Sequence, residues 1–258
     1  MSLDTVIAAL ALPAQARVDQ RVPKKLLVEQ GAPTAADKRQ IQDGIEDLFW
    51  VAALKPSTIG VPDFRDAQRE YLEIAVLTAT LRPKAKAARL TEIIHRAVPY
   101  PVFLAVDDGA AITLSLAHKR FSQGQDGKVV AEELHATPPF RLNEPSPPLA
   151  AFLSSLALAS LPTGDLAALY QGWIDRVTAL EAAGITGAFS LPESVEQASL
   201  RHDHLEAHAR LARDLVALRA RAKKEKQISR LVDLNLEIRR LETEQADLGR
   251  KIGVGRKA

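Results

Sequence analysis

No cysteine occurs anywhere in the 258 residues. That excludes disulfides, thiolate metal sites and cysteine nucleophiles. Aromatic side chains are scarce, at 5%, with two Trp and three Tyr. Long apolar runs are missing too. A membrane-spanning helix needs about 20 predominantly apolar residues, and the best stretch, Pro148 to Leu161, is shorter and interrupted by three serines. Charge of one sign is also absent overall: 34 Lys/Arg against 32 Asp/Glu leave a formal net charge of +2. What remains is an ordinary globular balance, 47% hydrophobic and 26% charged, which excludes a disordered chain. The early apolar segment Val6 to Leu12 lacks the positive flank of a secretory signal, its only nearby charge being Asp4. It is expected to be a short helix, capped by Ser2 or Asp4 and ended before Pro13. A cytoplasmic location is the corresponding expectation.

Alanine and leucine abundance favours helix, and Gly and Pro divide the chain into readable pieces. Residues 14–33 are expected to be mostly loop. Thr34 is expected to cap a helix over 34–54, because Ile41, Ile45, Leu48, Phe49 and Ala52 recur at helical spacing. A sheet is expected over about 71–134. Tyr71 to Leu81 reads as its first strand, 84–98 as a crossover helix with Ile93 and Ile94 inward, and Tyr100 to Val106 as an apolar central strand. Asp107-Asp108-Gly109 is a turn, Ala111 to Ala117 the returning strand, Gly124 to Gly127 a second turn and Lys128 to Leu134 the fourth strand. The strand–helix–strand step should be right-handed. Five prolines within 137–148 mark a connector, and helices are expected over about 148–160 and 165–183.

From Glu193 to Leu248 there is neither Pro nor Gly, so 193–252 is expected to be one very long helix or a helical hairpin. Leu231, Ile238, Gln245 and Ile252 are seven apart, as are Leu234, Leu241 and Leu248, the spacing of a coiled coil. Leu211, Leu215 and Leu218 form a similar seam, but Leu218 to Leu231 is thirteen positions rather than fourteen. The register slips at Arg221–Gln227, a hairpin tip or a phase break. The expected fold is therefore α+β: a small mixed sheet flanked by helices in a body spanning 1–190, with a coiled-coil helical extension. Leu231, Leu234, Ile238, Leu241 and Leu248 are the candidate partner-binding residues.

Charge separates the two parts. Residues 193–258 carry 15 Lys/Arg against 11 Asp/Glu, whereas 1–192 are net acidic. Arg219, Arg221, Lys223, Lys224, Lys226 and Arg230 fall within twelve residues beside a single Glu225. Such a cluster can contact phosphate backbone or an acidic protein face, or simply solvate a helix.

Catalytic signatures are absent: there is no GxGxxG, HExxH or GxSxG. Gly124-Gln125-Asp126-Gly127-Lys128 has the wrong spacing for a phosphate loop. His204 and His208 share a helix face, but His202 lies on another, so the metal ligand set is incomplete. A restriction-endonuclease-type site needs an acid two residues before a lysine; Asp63 and Glu73 could supply carboxylates, yet Ala75 stands where the lysine belongs. No catalytic, cofactor-binding or metal residues are assigned, and no cofactor is expected.

Taken together, Arg21-Val22-Pro23-Lys24-Lys25, the Phe49-Trp50 segment running into Leu54-Lys55-Pro56-Ser57-Thr58, Glu73-Ile74-Ala75-Val76, Ile93 to Phe103, Lys224-Glu225-Lys226-Gln227 and Leu234 to Ile238 resemble an uncharacterised bacterial domain family. Its members are encoded beside DNA methylases and Snf-type or DEAD-type helicases in restriction and phage-defence islands. The resemblance implies context rather than mechanism: a non-enzymatic accessory subunit that docks onto a helicase, methylase or nuclease partner. DNA binding through 219–230, or a degenerate restriction-endonuclease-like domain, are the alternatives. Self-association through the coiled coil is a further expectation, and no membrane contact is expected.

Overall fold

The computed structural model describes residues 3–122, 124 and 129–253, and the chain divides into two compact units, Met1–Thr178 and Ala179–Ala258. The first is built on a six-stranded mixed sheet. Its strands are β1 (Arg17–Arg21), β2 (Ile45–Leu54), β5 (Ile74–Leu81), β6 (Val102–Asp107), β7 (Ile112–Phe121) and β8 (Val129–Ala136), in that spatial order. Among the described residues, β5 and β6 run parallel and the other pairings of this sheet are antiparallel. The parallel pair needs a crossover, supplied by α5 (Ala87–Ala97). After the one-turn helix α4 (Pro56–Ile59), a separate two-stranded ribbon joins β3 (Phe64–Arg65) to β4 (Glu70–Tyr71).

The apolar run of β6 is buried along Val102 to Val106, as a strand covered on both faces must be. On one face, Leu48, Leu77 and Leu104 pack with Leu27 of α2 (Lys24–Gly31), Ile41 of α3 (Ala35–Gly44) and Ile93 and Ile94 of α5. On the other, Phe103 lies against Trp173 of α7 (Leu166–Thr186), ring centroids 5.0 Å apart. The Trp173 indole donates to Leu156 O just beyond α6 (Pro147–Ser155), and Leu158 N donates to Leu10 O just beyond α1 (Leu3–Ala9). Helices thus cover both faces of the sheet. Arg176 of α7 is buried and donates to the carbonyls of Ser155, Gly172 and Ser160. One guanidinium fork ties three backbone segments together, its planar donors fixed in direction where a lysine would offer one point charge.

The α+β fold expected from the sequence is present, with four of its strands in the expected order. The turn at Asp107–Gly109 has the expected chemistry: Gly109 takes φ +83°, and Asp107 and Asp108 carboxylates accept the N–H groups of Gly109, Ala110 and Ala111. The second expected turn, Gln125–Gly127, and the start of its strand at Lys128 lie outside the described residues, as does the Ser2 cap.

Two expectations are corrected. The helix expected over 34–54 ends at Gly44, and Ile45–Leu54 is strand β2. Thr34 does cap the helix, accepting from Asp37 N. The apolar positions of 45–54 fit a helical stripe, but two neighbouring strands claim this segment and override its local pattern. The supposed loop 14–33 contains β1 and α2. Edge strand β1 is almost wholly exposed and charged, so it shows no apolar alternation; charge and the bulge around Asp19, at φ +49°, suit an edge that must not recruit further strands.

The second unit holds the last turns of α7, then α8 (Val195–Ala222) and α9 (Ile228–Gly253). Among the described residues, no helix is long and apolar enough to cross a membrane.

Candidate functional site

Residues 193–252 reverse direction at Lys223–Gln227, where the two heptad seams lose register. No glycine or proline makes this turn. The last turn of α8 is closed by Lys223 N donating to Arg219 O. Glu225 then accepts the N–H groups of both Lys226 and Gln227 at 2.8 Å, organising the start of α9. Those two N–H groups hold the Glu225 carboxyl below its ordinary range, and a carboxylate suits the positive end of a helix dipole.

Leu215 and Leu218 of α8 pack against Ile238 and Leu241 of α9, with Leu211, Ala222 and Leu234 beside them. Arg219 bridges the pair by donating to Glu242 at 2.7 Å. At the other end, Ala182 of α7 joins Leu205 and Ile252 in a cluster of three helices. The residues expected to bind a partner are therefore placed largely within the hairpin. Ile238 and Leu241 are buried, and Leu231, Leu234 and Leu248 are half-buried. The apolar surface that α9 leaves open lies elsewhere: Ile228, Val232 and Leu236 are 80%, 52% and 60% exposed. They sit four apart, on one side of the helix. Their i, i+4, i+8 spacing lies outside the heptad seam.

All six basic candidates, Arg219, Arg221, Lys223, Lys224, Lys226 and Arg230, are exposed and gathered at the tip. Between Arg219 and Arg230 the one acidic residue is Glu225, and Glu242 of α9 pairs with Arg219. This arrangement can attract phosphates or carboxylates without selecting a base sequence.

Titratable groups in the sheet unit are tied into hydrogen-bond networks, although His95 Nδ1 and Glu73 Oε1 are buried without a hydrogen-bond partner. Tyr71 donates to His118 Nδ1, His118 Nε2 to Gln171 Oε1 at 2.8 Å, and Gln171 to Asp175 at 2.8 Å. Burial holds the His118 imidazole neutral by lowering its pKa, and raises the Tyr71 phenol. His95 contacts Ser115 Oγ at 3.0 Å, and burial pushes its pKa down to about 3. Ser115 is completely buried, so this pair offers no accessible nucleophile. Lys119, also buried, donates to the carbonyls of His95 and Val98 at the end of α5. It acts as a cation on a helix C-terminus, and burial lowers its pKa to about 8.

The two carboxylates considered for a nuclease take separate partners: Asp63 lies 3.6 Å from Arg65, and buried Glu73 pairs with Lys55 at 2.9 Å. Lys55 reaches Glu73 from just beyond the end of β2, a proximity invisible in sequence spacing. Among the described residues, no group of three or more His, Asp and Glu is placed to hold a metal ion. An apolar pocket of about 230 Å³ opens beside α2, walled by Leu26, Leu48, Trp50, Leu77 and Tyr100. The Trp50 indole already donates to Ala52 O, leaving little in that wall to orient a polar substrate.

No curated protein and no solved structure matches the chain. A family model described as Domain of unknown function (DUF4391) matches residues 10–244. That span covers the whole six-stranded sheet and most of the helical hairpin, and the chain belongs to this family of uncharacterised domains.

Proposed function

We propose that this chain is a non-enzymatic accessory subunit of a bacterial DNA-processing or phage-defence system. It docks through its helical hairpin onto a helicase, methylase or nuclease subunit, in the cytoplasm where such partners meet DNA. The observation that carries this reading is the hairpin itself. Its internal seam is satisfied by its own two helices, yet it still exposes a second apolar stripe and a concentrated positive tip. Surfaces of that composition suit association more than solvation alone. The placement of the titratable side chains supports an accessory role: the buried Ser–His pair and the Tyr71–His118 network tie structural elements together.

The test is affinity purification of the tagged chain from its native cells, followed by mass spectrometry. The reading expects a helicase, methylase or nuclease subunit in stoichiometric amount. Recovery of the chain alone would contradict it.

A second reading, DNA binding through Arg219, Arg221, Lys223, Lys224, Lys226 and Arg230, is favoured by their convergence on one exposed tip. Each phosphate neutralised on duplex DNA contributes a log–log salt slope of about −0.9. Replacing Lys223, Lys224 and Lys226 with Gln should therefore flatten the slope. Absence of binding at low salt, or an unchanged slope, rejects DNA as the ligand of the tip.

A further inference from the structure

We infer that the outward face of α9, Ile228–Val232–Leu236 with the adjoining basic tip, receives an amphipathic helix with acidic flanks from a partner protein. This rests on the accessory-subunit reading and names the chemistry of its docking element.

Helix α9 has two apolar faces. One is filled by α8 through Leu215 and Leu218. The other runs through Ile228, Val232 and Leu236, all more than half exposed. An amphipathic surface helix has one apolar stripe facing its core; a second stripe on the opposite side marks a place for another element. Within this unit, the third helix is present at one end of the hairpin and absent at the other. Near the base, α7 joins α8 and α9 through Ala182, Leu205 and Ile252. Toward the tip, α8 and α9 alone meet among the described residues. A helix laid along the open face would continue at the tip the three-helix packing of the base.

Charge selects the occupant. Between Arg219 and Arg240 there are eight Lys/Arg against three Asp/Glu. Lys223, Lys224 and Lys226 lie at one end of the stripe, Arg239 and Arg240 at the other, and all five are exposed. A second copy of this chain would bring the same positive charge onto itself and be repelled. Nucleic acid would satisfy the cations but leave Ile228, Val232 and Leu236 in water. A helix with leucines on one side and glutamates flanking them satisfies both, in the helix-in-groove manner of recognition.

The probe is a labelled 18-residue synthetic peptide with leucines at three-to-four spacing and glutamates elsewhere, alongside a twin carrying lysines in place of glutamates. Fluorescence anisotropy with the full chain should show binding of the Glu peptide and none of the Lys twin. Val232→Ser with Leu236→Ser should weaken binding at least tenfold. The Lys223, Lys224 and Lys226→Gln variant should weaken it too, with reduced salt sensitivity. Both variants alter exposed positions, so circular dichroism and the melting temperature should match the wild type.

Equal binding of both peptides, or affinity unchanged in the Val232/Leu236 variant, overturns the inference. So does a dimer of the free wild type in sedimentation that this variant dissolves, which makes the occupant a second copy. Binding of a 20-base-pair duplex without binding of the Glu peptide likewise overturns it and assigns the tip to nucleic acid. If the cellular complex survives Val232→Ser with Leu236→Ser, this docking face is wrong while the accessory reading stands. If the wild type recovers no partner, the accessory reading itself fails.

Discussion

The Tyr170 hydroxyl sits fully buried where β6 and β7 diverge. It accepts the Ala117 N–H at 2.9 Å and donates to Val102 O at 2.7 Å. The β6–β7 ladder stops at Leu104–Ser115, so one side-chain hydroxyl satisfies two backbone groups beyond its end. Tyr170→Phe keeps the ring and strands both groups; equilibrium urea denaturation should show a loss of about 1–3 kcal/mol. A second residue-scale consequence concerns pH. Arg89 holds the Asp37 carboxylate with two hydrogen bonds, of 2.7 and 2.9 Å, and Thr34 adds a third. Together they lower its pKa to about 2, chiefly through Arg89, against the opposing effect of burial. A carboxyl depressed in the folded state binds fewer protons there than when unfolded. Its stabilisation is complete above the ordinary carboxylate range and fades as pH falls toward about 2. Between pH 5 and 2 the wild type should lose stability more steeply than Asp37→Asn, as followed by the urea midpoint at each pH.

At the scale of elements, α2 and α5 approach so closely at Gly31 that an added Cβ would lie 2.8 Å from both Ala97 Cβ and the Ile93 carbonyl oxygen. Backbone cannot yield cheaply there. Gly31→Ala should cost about 1–3 kcal/mol through forced separation of the two helices, despite alanine's better helix propensity. A raised melting temperature for this variant would show that the contact can relax. The elements readable in advance were those whose pattern matched their surroundings. Strand β6 is apolar throughout because it is covered on both sides, and Asp107–Gly109 carries turn chemistry in its residue types. Those that escaped notice had a local pattern pointing elsewhere. Ile45, Leu48, Phe49 and Ala52 imitate a helix stripe, and only pairing with β1 and β5 decides for strand. The charged β1 has too little burial to leave a signature. In the hairpin, the thirteen-residue slip falls at the break between α8 and α9 but does not by itself distinguish a turn from a phase break, whereas the open face of α9 is hidden by the stronger heptad seam. Polar proximities such as Glu73 with Lys55, or Tyr71 with His118, depend on strand pairing and helix placement and leave no trace in spacing.

For the whole molecule, chemistry-bearing groups are distributed unevenly between the units. In the sheet unit, Lys119, Arg176 and Tyr170 are buried and bound to backbone, and buried His95 contacts the Ser115 hydroxyl. In the helical unit, the cations of the tip are exposed. The central claim is that the molecule meets its partner through this tip and the adjoining face of α9. Amine-directed cross-linking of the complex purified from native cells, read by mass spectrometry, tests it most directly, because exposed lysines occur in both units. Lys25, Lys38, Lys55, Lys84 and Lys86 sample the sheet unit; Lys223, Lys224 and Lys226 sample the tip. The account predicts that cross-links to the partner concentrate at Lys223, Lys224 and Lys226. Cross-links confined to the lysines of the sheet unit, with the tip lysines unreacted toward the partner, would contradict it.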